Sequence, residues 1–100
     1  MNQIERIEHF EKIFDETSAA INNLAEAVEN YAAVQEKYFE LMNYYGTDWL
    51  KDYEDDEAGK IPKDLKRGVL SQDGVYDLLE KNRELQIKIL EIFADILRKG

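Results

Sequence analysis

The sequence predicts an all-α fold in which two long helices form an antiparallel hairpin. Three observations carry this prediction: a heptad-spaced apolar pattern from Ile7 to Tyr45, a second such pattern from Val75 to Ile96, and a change of composition between them. A length of 100 residues suits one domain, so we expect residues 1–100 to form a single helical domain.

The first helix is predicted over residues 1–46. Its inner positions recur at alternating spacings of three and four residues, with no glycine or proline before Gly46, which we expect just past the helix end. Apolar residues also flank these positions on both sides, so the apolar face is wider than a two-stranded seam. Capping residue types near Thr17 leave a bend there as the alternative to a continuous helix. The inner positions are Ile7, Phe10, Phe14, Thr17, Ile21, Leu24, Val28, Tyr31, Gln35, Tyr38, Met42 and Tyr45.

The second helix is predicted over residues 71–99, with Ser71 as its N-cap and Arg98 and Lys99 in the last turn. Two helices of unequal length with wide apolar faces do not cover each other completely. We therefore expect two chains to associate into a four-helix bundle. The inner positions are Val75, Leu78, Asn82, Leu85, Ile89, Ile92 and Ile96.

Three of the inner positions carry polar side chains, namely Thr17, Gln35 and Asn82. A polar residue at a core position commonly fixes the register and number of helices. We interpret the three residues in this way, and a ligand-binding patch is the alternative.

The connection over residues 47–70 collects aromatic residues, glycines and charges, with acidic residues first and basic residues after them. Pro62 suits the start of a short helix and Gly68 its end, which predicts a helix over Lys63–Arg67. Apolar residues spread along the connection predict that it folds onto the end of the bundle. They are Trp49, Tyr53, Ile61, Leu65, Val69 and Leu70.

Composition excludes several classes of function. A net charge of −9 argues against nucleic acid as a partner, since phosphates require a basic surface. The chain has no cysteine and a single histidine, His9, so it has no thiolate metal site and no pair of histidine ligands. It contains no apolar run of about 20 residues and no signal peptide pattern, so we expect a cytoplasmic protein without a membrane partner.

The connection also carries a resemblance to a known family. Tyr44-Tyr45-Gly46, Trp49, the acidic stretch to Gly59, and the segment from Pro62 through Leu65-Lys66-Arg67-Gly68-Val69-Leu70-Ser71 to Asp73 make the chain similar to domain-of-unknown-function family 4298. Gln72 departs from this pattern, where an acidic residue is expected. The resemblance implies a small, helical, cytoplasmic bacterial protein, and it implies no activity or catalytic residue.

The charged side chains suit more than one kind of binding site. The acidic run over residues 52–57 offers carboxylates to Mg²⁺ or Ca²⁺, but it lacks the EF-hand pattern, so we interpret it as a solvated loop. Basic residues over 60–67 suit either an anion site or ion pairs with that run. We predict no catalytic residue, no metal ligand and no cofactor.

We predict a non-enzymatic protein–protein interaction or regulatory module that forms a homo-oligomer and presents its connection to a protein partner. One alternative is a metal-dependent hydrolase of a small phosphorylated molecule, with Glu26, Glu29, Asp73 and Asp77 as ligands. Another is an acidic inhibitor that mimics nucleic acid. The candidate partner-binding residues are Tyr45, Trp49, Tyr53, Lys63, Lys66 and Arg67.

Overall fold

A computed structural model describes all 100 residues, of which 82% are helical and none forms a strand. Three α-helices follow one another: α1 (Gln3–Gly46), α2 (Trp49–Glu57) and α3 (Gly74–Lys99). A single 3-10 turn, Gly68–Leu70, lies between α2 and α3. The predicted all-α fold, with a long first helix and a long last helix, is confirmed.

The chain divides into two compact units, Met1–Leu41 and Met42–Gly100. The first unit is one helix, and it runs through Thr17 without interruption. Asn2 begins it, because the Asn2 Oδ1 accepts a hydrogen bond from the Glu5 backbone N–H at 2.8 Å. Such a side-chain oxygen satisfies one of the donors that the first helical turn leaves free.

The second unit has a small core where the 3-10 turn meets both α2 and α3. Leu70 and Val75 are the buried hydrophobic residues, with 8% and 3% of their surfaces exposed. Trp49, Tyr53 and Ile61 are half-buried. Four of the six anchors are thus buried or half-buried, whereas Leu65 and Val69 stay exposed.

The order of elements within the connection differs from the prediction. The helix lies earlier, at α2, and Lys63–Arg67 forms only a turn in which the Leu65 N–H donates to the Pro62 carbonyl at 3.2 Å. The prediction of a helix over Lys63–Arg67 was wrong, because Pro62 and Gly68 permit a helix between them but do not require one. In the structure, Arg67 turns back to α2 and Gly68 begins the 3-10 turn rather than capping a helix.

Two predicted helix ends also shift. Gly46 is the last residue of α1 rather than the residue beyond it, and the Thr47 hydroxyl donates to the Asn43 carbonyl at 2.7 Å there. Ser71 does not cap α3, because its hydroxyl donates to the Gly68 carbonyl at 2.8 Å, and Asp73 is the N-cap. Both shifts follow from hydrogen bonds that close turns outside the helices.

Candidate functional site

Three aromatic rings form a stack where α1 ends and α2 begins. The Trp49 and Tyr53 rings lie nearly parallel, with centroids 5.0 Å apart and planes 15° apart. The Tyr45 ring contacts the Trp49 ring edge-on, with centroids 4.9 Å apart and an angle of 61° between the planes. The spacing of four residues between these positions brings the rings together, and both geometries are ones that aromatic pairs prefer.

The tryptophan also joins this stack to the 3-10 turn. Its Nε1–H donates a hydrogen bond to the Val69 carbonyl at 2.7 Å. The bond places α2 beside the residue that precedes buried Leu70. Trp49 therefore holds the connection together through its apolar ring and its one polar atom.

A tyrosine–carboxylate pair lies beside the aromatic stack. The Tyr44 hydroxyl donates to the Asp52 Oδ2 at 2.7 Å, which links the last turn of α1 to α2. Burial, the hydrogen bond to Asp52 and the negative charges of Asp52 and Asp48 raise the pKa of Tyr44 to about 12. The phenol is therefore a firm hydrogen-bond donor at neutral pH rather than a base.

The acidic run forms most of α2 and is not a loop. The helix ends at Glu57. Gly59 lies two residues beyond this end, and its φ of +77° is the left-handed conformation that glycine adopts without strain. The Gly59 N–H donates to the Asp56 carbonyl at 3.0 Å, and the Lys60 N–H donates to the Asp55 carbonyl at 2.9 Å. This pair of hydrogen bonds is the Schellman motif that closes many helices.

Two basic residues of the connection pair with the acidic run. The Arg67 guanidinium forms an ion pair with the half-buried Asp56 carboxylate and also donates to the Lys63 carbonyl at 2.9 Å. The Lys60 Nζ lies 3.8 Å from the Asp55 Oδ1, and this ion pair is more exposed than the pair of Arg67 and Asp56. The sequence left ion pairing and an anion site open, and the structure shows ion pairs for these two cations.

The six candidate partner-binding residues fall into two groups. Tyr45, Trp49, Tyr53 and Arg67 are half-buried and make the contacts within the connection described above. Lys63 and Lys66 are exposed, as is the Leu65 side chain between them. The structure thus brings the aromatic residues together and presents the two lysines to solvent.

Two of these contacts were not predicted from the sequence. They are the hydrogen bond from the Tyr44 hydroxyl to Asp52 and the hydrogen bond from the Trp49 indole to the Val69 carbonyl. A usable signal was the helical spacing of Trp49, Asp52, Tyr53 and Asp56, which places them along one side of a helix. The backbone carbonyl of Val69 leaves no such signal, because every residue carries one.

The proposed hydrolase ligands occupy α1 and the start of α3. Asp73 occupies the N-cap position of α3, and its backbone carbonyl accepts a hydrogen bond from the Asp77 N–H at 2.8 Å. No group of three or more histidine, aspartate or glutamate side chains is placed to share a metal ion. No helix of the structure combines the length and the apolar character needed to cross a membrane.

The sequence matches the model of one known protein family. A family model described as a domain of unknown function, DUF4298, matches residues 7–92. The chain belongs to this family. The match spans most of α1, all of α2 and the connection, and most of α3, and the matched range therefore contains the residues of the aromatic stack and of both ion pairs. No curated protein and no solved structure matches the chain.

Proposed function

We propose that this DUF4298 chain is a non-enzymatic, cytoplasmic protein–protein interaction module that forms homodimers. The observation that carries this proposal is the exposure of the heptad-spaced faces. On α1, Ile7 and Phe10 expose 54% and 56% of their surfaces, and on α3, Ile92 and Ile96 expose 43% and 59%. Apolar patches that extend along whole helices are typical of association surfaces rather than of monomer surfaces.

The two helices expose large apolar side chains along most of their length. Large apolar side chains recur along nearly the full length of α1 and α3, and each contributes favourable free energy when it leaves water. Among those that are exposed are Ile4, Ile13, Phe14, Ile21, Leu24, Val28, Val34, Leu78, Leu85, Ile89, Leu90, Phe93 and Leu97. Obligate homodimer interfaces resemble a domain core divided in two, and these faces have that composition.

The connection is the surface we propose for a second protein. Its fold is stabilised by four half-buried residues, Tyr45, Trp49, Tyr53 and Arg67. Lys63 and Lys66 are exposed to solvent. The exposed lysines adjoin the apolar Leu65 side chain, of which 56% is exposed. An apolar centre with charges around it is the composition of a transient binding surface, and the two cations favour an acidic partner.

Sedimentation velocity tests the self-association directly. We expect a dimer at micromolar concentration, and Ile21→Glu is expected to shift it to monomer because the charge would be buried in the interface. Glu26→Gln, on the solvated side of α1, is the matched control and should leave the dimer intact. A wild-type chain that remains a monomer at high micromolar concentration would contradict the proposal.

Affinity capture tests the connection as a binding surface. The variant Lys63→Glu/Lys66→Glu should lose a captured acidic protein, while Lys81→Glu on α3 should retain it. Both variants should keep the wild-type circular dichroism spectrum, since the three lysines are exposed. Equal capture by both variants would remove this surface from the proposal.

A further inference from the structure

The two long helices differ in length by 18 residues, because α1 has 44 and α3 has 26. A helix of 26 residues is too short to cover the apolar face of a helix of 44 residues along its whole length. The amino-terminal part of α1 nevertheless carries the same apolar pattern as the rest. Ile4, Ile7, Phe10 and Phe14 expose 68%, 54%, 56% and 69% of their surfaces.

We infer that residues 3–18 of α1 pair in parallel and in register with the same residues of a second copy. This inference rests on the proposed homodimer and specifies which segment joins the two copies and in what orientation. The occupant of the exposed face is thus the same helix of another chain.

Two groups of four residues on this segment have the spacing of a coiled-coil hole. Ile7, Phe10, Glu11 and Phe14 lie at positions i, i+3, i+4 and i+7 and surround an open depression. A second depression of the same kind lies among Phe14, Thr17, Ser18 and Ile21. In a coiled coil, four residues so arranged form the hole that accepts one side chain of the facing helix.

The charges beside the apolar face decide the orientation. With Ile7 at heptad position a and Phe10 at position d, Arg6 occupies position g and Glu11 position e. In a parallel pair, position g of one helix faces position e of the following heptad on the other. Arg6 of each copy then meets Glu11 of its partner, which gives two ion pairs of opposite charge.

An antiparallel pair loses this complementarity. It brings e positions opposite e positions and g positions opposite g positions. Glu11 then faces only Ile4, Ser18 or another Glu11, and Arg6 faces only Ile13, Ala20 or another Arg6. No pair of opposite charges results, so the charge pattern favours the parallel arrangement.

Disulfide trapping tests the orientation, because the natural chain has no cysteine. In the parallel dimer, Ile7→Cys and Thr17→Cys each lie opposite their own copy, and both variants should form cross-linked dimers under mild oxidation. Lys12→Cys, at the outward position f, is the control and should not cross-link. An antiparallel dimer brings identical residues together at one position only, so at most one variant would cross-link and the inference would fail.

Charge reversal supplies a second readout. Arg6→Glu and Glu11→Arg should each weaken dimerisation by about tenfold, and the double variant should restore it, because two exposed ion pairs are affected in each dimer. Glu8→Arg, at the outward position b, is the control and should not weaken it. Absence of restoration in the double variant would overturn the inference. A dimer without cross-links rejects only this orientation, whereas a monomeric wild type rejects the proposed homodimer itself.

Discussion

The indole of Trp49 donates a hydrogen bond to the backbone carbonyl of Val69 at 2.7 Å, across twenty residues of sequence. This contact connects the first residue of α2 to the 3-10 turn that carries buried Leu70. A tryptophan whose ring stacks on Tyr53 and whose N–H is satisfied here is a structural residue of the connection. The connection therefore has a fixed shape on which exposed residues are displayed.

Replacement of Trp49 by phenylalanine should keep an aromatic ring but remove the hydrogen bond to Val69. We expect the free energy of unfolding to fall by about 1 to 2 kcal/mol, because the carbonyl loses its donor and the smaller ring packs less surface. Urea unfolding followed by circular dichroism measures this change. Tyr53→Phe, which keeps the stacked ring, is the control and should change stability by less than about 0.5 kcal/mol. Equal stability of Trp49→Phe and the wild type would mean that the hydrogen bond contributes nothing.

Replacement of Tyr44 by phenylalanine should change how stability depends on alkaline pH. The raised pKa of about 12 means that the folded chain holds the phenolic proton more tightly than the unfolded chain, whose tyrosine has its ordinary pKa of 10.0. The contribution of Tyr44 is therefore complete below pH 10 and is lost as the pH rises toward 12. We expect the stability advantage of the wild type over Tyr44→Phe to decrease across that range.

Urea unfolding of the wild type and of Tyr44→Phe measures this difference in stability. The measurements are made at several pH values from about 8 to about 12, the range in which tyrosine titrates. Tyr38→Phe is the control for a tyrosine that makes no hydrogen bond to a carboxylate. An advantage that stays constant up to the alkaline limit would show that the Tyr44–Asp52 hydrogen bond is not formed in solution.

Replacement of Gly74 by alanine should destabilise the chain even though alanine favours helices. A Cβ atom at Gly74 would clash with the Ser71 Oγ and would lie 2.9 Å from the Gly68 carbonyl oxygen. Ser71 would have to rotate away and lose its own hydrogen bond to Gly68. We expect a loss of about 1 to 3 kcal/mol, as is typical of overpacking, measured by urea unfolding.

Gly46→Ala is the matched control, because Gly46 is helical and has open space around it. It should stabilise α1 by up to about 1 kcal/mol through the higher helix propensity of alanine. The two glycine variants should thus change stability in opposite directions. Stabilisation by both would contradict the close approach of Ser71 to Gly74.

Replacement of Arg67 by lysine should weaken the connection while conserving its charge. Arg67 uses one nitrogen for Asp56 and another for the Lys63 carbonyl, and a lysine cannot reproduce that planar fork. We expect a loss of about 1 kcal/mol in thermal or urea unfolding, since Asp56 is only 15% exposed. Lys66→Arg is the control at an exposed position and should have little effect. An unchanged Arg67→Lys variant would show that the ion pair alone matters.

Several local features could be predicted from the sequence because their causes are local. The heptad pattern placed α1 and α3, and its unbroken phase favoured an α1 that continues through Thr17 over one that bends there, as the structure shows. The pairing of the acidic run with nearby cations was also among the interpretations that the sequence allowed. Adjacent charges of opposite sign favour such pairs without reference to distant residues.

The connection was less predictable because its helix depends on distant contacts. Glycine often follows the end of a helix, and the sequence offers Gly46, Gly59 and Gly68 for this role. It does not show which of these glycines follows a helix in the connection. In the structure, Gly59 follows the end of the helix α2. This helix begins at Trp49, whose hydrogen bond to Val69 holds it to the 3-10 turn. An isolated nine-residue helix is only marginally stable, so these tertiary contacts account for its presence.

The sequence by itself determined the helical class, the two long helices and their apolar faces, because repeated short-range spacing specifies a helix and its apolar side. Only the tertiary structure decided that the acidic run is helical, that Trp49 and Arg67 stabilise the connection, and that Lys63 and Lys66 remain exposed. The physical reason is the range of the interactions. A helix closes its hydrogen bonds four residues apart, whereas the connection closes its own across up to twenty.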